Sequence, residues 1–190
     1  MIVTFLGVPC SGKTTTATKL FADLKEAGIP AEFVPEYARQ YIASLKYDSP
    51  GEDVKLDDGD QISIMVEQAR LERVFAKACG PDVVLVVDGC ALNTLLYLSS
   101  GARQNPVVQS IVKMSMKAYD VVFVCEPVQA LDGLDPNRIH SWEESLQLNG
   151  VLESLLLKGP LHGVPGVTLR GDPGLRFQTA QKEIYGRFFP

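Results

Sequence analysis

The stretch that most restricts this chain is Met1 to Thr14, an apolar strand that runs straight into a glycine-bounded loop. Ile2-Val3-Thr4-Phe5-Leu6 is short and rich in β-branched residues, as a buried strand requires. Gly7-Val8-Pro9-Cys10-Ser11-Gly12-Lys13-Thr14 follows and fits G-x-x-x-x-G-K-[ST] at every fixed position. The spacing has a chemical reason. Gly7 and Gly12 are expected to let the backbone bend so that the loop's N–H groups point inward as an anion nest. Lys13 then reaches the β- and γ-phosphates of a nucleotide, and Thr14 offers its hydroxyl to Mg²⁺. The helix that starts here turns its positive dipole end toward the same phosphates. Gly7, Pro9, Cys10, Ser11, Gly12, Lys13, Thr14 and Thr15 are therefore the expected nucleotide-binding residues.

A chain of 190 residues suits one domain, and such a domain buries about 70% of its unfolded surface. The expected domain is 1–190. No stretch approaches the roughly 18 apolar residues that span a bilayer, so no membrane partner is expected. The first apolar run flows into the phosphate loop and is not expected to be a secretory signal. Cys10, Cys79, Cys90 and Cys125 have no paired spacing, which suggests free thiols in a reducing cytoplasm rather than disulfides or zinc. A net charge of −5 exerts no general pull on nucleic acid, although a local basic groove stays open.

Past the loop, Ala17, Leu20, Phe21 and Leu24 recur at helical spacing, and Gly28 and Pro30 end that helix. Ala31 to Val34 reads as a second strand closing on Pro35-Glu36, with helix from Tyr37 to Leu45 and a mobile loop from Tyr47 to Gly59. Asp60 to Ala78 is a long amphipathic helix. Val83-Val84-Leu85-Val86-Val87-Asp88 is an unbroken apolar run ending in a carboxylate, the pattern of a central parallel strand. Helices are expected over Leu92–Leu98 and Asn105–Ala118, and a fourth strand over Val121–Cys125, closed by Glu126-Pro127. Ser141-Trp142-Glu143-Glu144 reads as a capping box one residue short, leaving the start of a helix to Leu157 open by a residue or two. Val167–Leu169 is the last strand, and a terminal helix runs to about Gly186.

Strands alternating with helices imply a parallel sheet covered on both faces. The expected fold is α/β: a three-layer α/β/α P-loop NTPase domain with a five-stranded parallel sheet and a lid segment near 128–141. Ligands in such sheets bind beyond the carboxyl ends of the strands. The ends of the first four strands carry the phosphate loop, Glu36, Asp88 and Glu126, so three carboxylates are expected on one rim.

With Val34-Pro35-Glu36-Tyr37-Ala38-Arg39 added, the chain resembles the P-loop nucleoside and nucleotide kinase group, most closely the nicotinamide-riboside-kinase-like branch of small AAA-type ATPase-fold kinases. Asp60-Gln61 with Gln68 and Glu72 is similar to that branch's D-Q…Q…E helix. Tyr119 to Phe123, leading to Asp132-Gly133-Leu134-Asp135-Pro136-Asn137-Arg138, is similar to its strand and D-G-x-R lid. Arg170-Gly171-Asp172 with Arg176 resembles its closing strand and adenine-side loop, which implies that Asp172 contacts the nucleotide. Leu134 stands where an arginine often follows the lid glycine, so Arg138 must supply the lid charge.

The residues assign themselves to roles by chemistry. A kinase must take a proton from the attacking hydroxyl, and Glu36 at a strand end facing the loop is the candidate base. Asp88 after its apolar strand is the candidate Mg²⁺ ligand with Thr14; it and Glu36 could exchange roles, since either could bind an acceptor sugar. Arg39 and Arg138 are candidates for neutralising charge on the transferring phosphoryl group. Gln68 could bond a base edge with both its donor and its acceptor. Tyr37, Tyr41 and Phe33 could stack on an acceptor ring or belong to the core, while His140 and His162 have no ligand spacing.

The reading is an ATP- and Mg²⁺-dependent phosphotransferase acting on a hydroxyl of a nucleoside-like or nucleotide-like small molecule. Two alternatives stand beside it: a kinase for a modified (hydroxymethyl) base in DNA, against which the charge leans, and a P-loop ATPase switch with no kinase acceptor. Acceptor identity and oligomeric state are not written in the sequence, and a homo-oligomer stays open.

Overall fold

Every residue of the strand Val84–Val87 is buried, which is why its sequence is an unbroken apolar run with no polar alternation. The computed structural model describes residues 1–51, 53–129 and 139–188. In them the strands are β1 (Ile2–Gly7), β2 (Ala31–Val34), β3 (Val84–Val87), β4 (Val121–Cys125) and β5 (Gly166–Leu169). They pair in the order β2-β3-β1-β4-β5. All four pairings are parallel, with Val3 opposite Val86 on one side and Val121 on the other. The helices are α1 (Lys13–Glu26), α2 (Tyr37–Asp48), α3 (Asp58–Cys79), α4 (Pro106–Ala118), α5 (Trp142–Lys158) and α6 (Pro173–Phe188).

Alternate side chains of each strand feed two separate cores. Val84 and Val86 join Val3, Phe5 and Phe123 beneath α1 and α6, whose Leu20, Leu24, Ala180 and Ile184 complete that layer. Leu85 and Val87 join Leu6, Val34 and Val122 on the other face, covered by Met65, Val108, Ile111 and Leu152 of α3, α4 and α5. The three layers are those expected. The central place of β1 sets its loop between the ends of β3 and β4. Among the described residues no helix is long and apolar enough to cross a membrane.

The termini of the elements follow local chemistry. Gly28 at φ 73° closes α1, with Ile29 N donating to Leu24 O and Gly28 N to Lys25 O, the paired bonds of a Schellman ending. Asp57 and Asp60 cap α3 reciprocally, which starts the helix two residues before the expected Asp60 and shortens the loop after α2 to 49–57. Ser141 and Glu144 form a complete capping box, not one that is a residue short, because Ser141 is the N-cap and Glu144 the third helical residue. Ala91–Leu96 is a 3₁₀ helix, where an ordinary helix over Leu92–Leu98 was expected. All six of its residues are buried, so no wet face exists to give helical periodicity, and Glu72 on α3 takes the Ala91 N–H at 3.0 Å.

Candidate functional site

The loop after β1 holds its shape through a close approach and two left-handed residues. A Cβ on Gly7 would lie 2.7 Å from Cys125 O and 2.8 Å from Ser11 Oγ, so the first glycine is needed for space. The left-handed residues of the loop are Cys10 (φ 60°) and Gly12 (φ 71°), the latter the N-cap of α1. Lys13 Nζ lies back over the loop, donating to Gly7 O at 2.9 Å and Val8 O at 3.0 Å. Gly7 N in turn donates to Asn93 Oδ1 at 3.1 Å, tying the loop to the 3₁₀ helix.

Beside this loop opens a cavity of about 420 Å³, within the range of small-molecule sites. Pro9 to Thr15 form one wall, Glu36, Ala38, Arg39 and Ile42 a second, and Gln61, Ile64 and Gln68 of α3 a third. Asn93, Thr94, Tyr97 and His140 also line it. Glu36 is the N-cap of α2, yet its carboxylate makes no capping bond. It faces Arg39 Nε at 3.2 Å, and Arg39 Nη2 donates to Thr14 Oγ1 at 3.3 Å. One guanidinium thus spans from the phosphate loop to the acid across the cavity.

Asp88 follows β3 and is 2% exposed. Burial, and then the neighbouring Glu36 charge, push its carboxyl up to about 6 against the pull of the Thr14 hydroxyl, Lys13 and Arg39. Its Oδ1 is buried without a hydrogen-bond partner. An orphaned carboxylate oxygen beside a threonine hydroxyl is a hard-oxygen donor pair, and it fits a magnesium ion. Ser11 Oγ is a second buried oxygen of the loop without a partner.

Other expected residues stand elsewhere. All three strand-end acids follow the ends of their strands, but only Glu36 lines the cavity: Asp88 is buried behind it, and the Glu126 carboxylate pairs with Arg170 Nε at 2.8 Å. Gln68 lines the cavity; its Oε1 accepts from Tyr37 N at 2.7 Å, and its Nε2 is buried without a hydrogen-bond partner. The Tyr37 ring packs on Tyr41 (centroids 6.3 Å apart) and Phe33 on Phe21 (5.6 Å), away from the cavity lining. Asp172 also lies off the lining, and its Oδ1 accepts from Gly174 N and Leu175 N at the start of α6. Arg138 and the greater part of the lid segment lie outside the described residues.

Asn93, Thr94, Tyr97 and His140 join the site with no motif to mark them. Polar Asn93-Thr94 inside the apolar run Ala91 to Leu98 was the available signal, since a buried polar pair needs a reason. His140, set aside for lack of ligand spacing, stacks its ring on Tyr97 at 5.2 Å.

A family profile described as an AAA domain matches residues 2–175. No curated protein matches the chain in sequence. Among solved structures, NadR in complex with NR superposes with a TM-score of 0.71 at 22% identity, covering 97% of this chain and 50% of that one. The chain thus spans about half the length of that NadR chain. Thymidylate kinase from Ehrlichia chaffeensis superposes at 0.66 with 17% identity, covering 97% and 98% of the two chains. Deoxyadenosine kinase from M. mycoides with bound dATP superposes at 0.57 with 12% identity over 100% of each. The fold is that of P-loop nucleoside and nucleotide kinases.

Proposed function

The chain belongs to the AAA-domain family, and from that premise we propose that it is an ATP- and magnesium-dependent phosphotransferase. It moves the γ-phosphate to a hydroxyl of a nucleoside-like or nucleotide-like small molecule. One observation carries this reading: Arg39 bonds Thr14 of the phosphate loop and Glu36 of the opposite wall at once, inside a single cavity. A switch that only hydrolyses nucleotide needs room for one water, whereas this cavity of about 420 Å³ is also lined by Ile42, Ile64 and Tyr97, outside the phosphate loop. Solved structures of similar fold that carry kinase names add support.

In the proposed reaction the acceptor hydroxyl attacks the γ-phosphorus in line. The new O–P bond forms as the bond to the β-phosphate oxygen breaks and ADP leaves. Glu36 takes the hydroxyl proton, since it lines the cavity and its carboxylate is not spent on capping α2. Lys13 and Arg39 balance the charge on the equatorial oxygens. Thr14 and Asp88 would hold magnesium, which supplies charge neutralisation on the donor phosphates. The remaining walls, with Ile42, Ile64 and Tyr97 for apolar contact and Gln61 and Thr94 for polar contact, would hold the acceptor. The four free cysteines support a reducing, cytoplasmic setting.

A thermal-shift screen of nucleosides, nucleotides and single-stranded DNA, each with ATP and Mg²⁺, tests this reading. A nucleoside or nucleotide should raise Tm beyond ATP and Mg²⁺ alone. A rise with DNA only would move the acceptor to a base in DNA, and no rise with any acceptor would favour the switch.

A further inference from the structure

Arg176 on α6 is 3% exposed, yet its guanidinium meets backbone carbonyls rather than carboxylates. Nη1 donates to Ser11 O at 2.7 Å and to Glu126 O at 2.9 Å, and Nε donates to Gly171 O at 2.7 Å. The three carbonyls follow β1, β4 and β5, so one side chain joins three strand-to-helix junctions. Among the described residues Arg176 forms no ion pair. The Glu126 carboxylate is given to Arg170, and the Asp172 carboxylate, held by two backbone N–H groups, feels the Arg176 charge without pairing with it.

A guanidinium is always charged, and a buried charge without a counter-charge costs several kcal/mol. Such a charge is kept where an anion supplies the missing partner. The anion-binding element it touches is the phosphate loop, whose Ser11 carbonyl it holds. In a trans peptide the C=O and the following N–H point in opposite directions. Drawing Ser11 O toward Arg176 therefore turns Gly12 N–H away from it. Ser11, Gly12 and Lys13 line the cavity while Arg176 does not, so the loop lies between the guanidinium and the site.

We infer that Arg176 is a positioning residue for polyphosphate: it fixes the Ser11–Gly12 peptide so that its N–H faces the ligand, and the bound phosphates add negative charge beside a guanidinium that has no ion-pair partner among the described residues. This rests on the reading of the loop as a nucleotide site.

The test is a binding series with adenosine, AMP, ADP, ATP and inorganic triphosphate, measured for the wild type, Arg176→Met and Arg176→Lys. For Arg176→Met the loss should grow with each phosphate, from no change with adenosine to roughly 10- to 100-fold with ATP and triphosphate. Arg176→Lys keeps the charge and should recover part of the loss for the charged ligands. An equal loss across the series, or none, would overturn the inference, because a support that only holds the fold weakens all ligands alike. Should Arg176→Met fail to fold, the wild type decides through the NMR signal of Arg176 Nε–H. Triphosphate must shift that signal and slow its exchange with water, and an unmoved signal at saturating triphosphate overturns the inference. Triphosphate without ATP binding would contradict the ATP reading while leaving the Arg176 inference standing.

Discussion

The Glu36 carboxylate packs directly against the bare Cα of Gly89: a Cβ built there would lie 2.8 Å from Glu36 Oε1 and 2.9 Å from its carboxyl carbon. Gly89 also sits at φ 73°, where a side chain is strained. The glycine after Asp88 thus makes room for the acid on the neighbouring strand end. Gly89→Ala should push Glu36 off its position and lower kcat at least roughly 10-fold, with about 1 kcal/mol of stability lost to the strained backbone. ATP affinity should hold, since the phosphate loop is untouched. Steady-state kinetics beside ATP titration checks this, and an unchanged kcat would mean that Glu36 takes no part in transfer.

Asp88 carries a cost in the free protein. Its folded-state carboxyl is raised to about 6, so between the ordinary 3.8 and that value the folded chain holds the proton more tightly than the unfolded one. Stability from this group is greatest at low pH and is lost as pH rises through about 6. Asp88→Asn should therefore raise Tm at pH 7.5 by roughly 2–4 °C for each kcal/mol of penalty removed, while turnover falls and excess Mg²⁺ restores part of it. In the wild type, rate should drop as pH falls below about 6, and added Mg²⁺ should move that drop to lower pH. A variant that is both less stable and indifferent to Mg²⁺ would make Asp88 a structural acid.

Glu72 supplies a second pH signature that lies outside the cavity. Tyr119 Oη donates to it at 2.6 Å and Ala91 N at 3.0 Å, while burial pushes its carboxyl from 4.5 up to about 7. Its contribution to stability is full below about 4.5 and declines as pH rises through about 7. Glu72→Gln should flatten the dependence of Tm on pH in that window and leave ATP binding unaltered. Tm measured from pH 4.5 to 8 for both proteins checks it; parallel curves would mean that Glu72 is ionised throughout.

What could be read in the sequence was what neighbours in the chain decide. Val83–Val87 and Val121–Cys125 are apolar throughout because parallel strands are buried on both faces, and the phosphate loop is a contiguous motif. Ala91–Leu96 escaped because a fully buried segment has no amphipathic period. Asn93 escaped because its partner Gly7 lies 86 residues away, and Arg176, visible only as part of an adenine-side resemblance, gave no sign of its bond to Ser11, 165 residues away. Glu126 is equivalent to Glu36 and Asp88 by its strand-end position, and its pairing with Arg170, 44 residues away, is a tertiary contact the sequence does not display.

The phosphotransferase assignment is tested most directly by following the γ-phosphate of labelled ATP. Wild-type protein, Mg²⁺ and an acceptor taken from the thermal-shift screen should give label on the acceptor in step with ADP. Glu36→Gln should bind ATP·Mg²⁺ near wild-type strength yet transfer roughly 10²- to 10⁴-fold more slowly. Lys13→Ala should stay folded and lose transfer by roughly 100-fold or more. Label appearing as inorganic phosphate at the same rate with and without acceptor, and unaffected by Glu36→Gln, would contradict a kinase and leave a nucleotide hydrolase in its place.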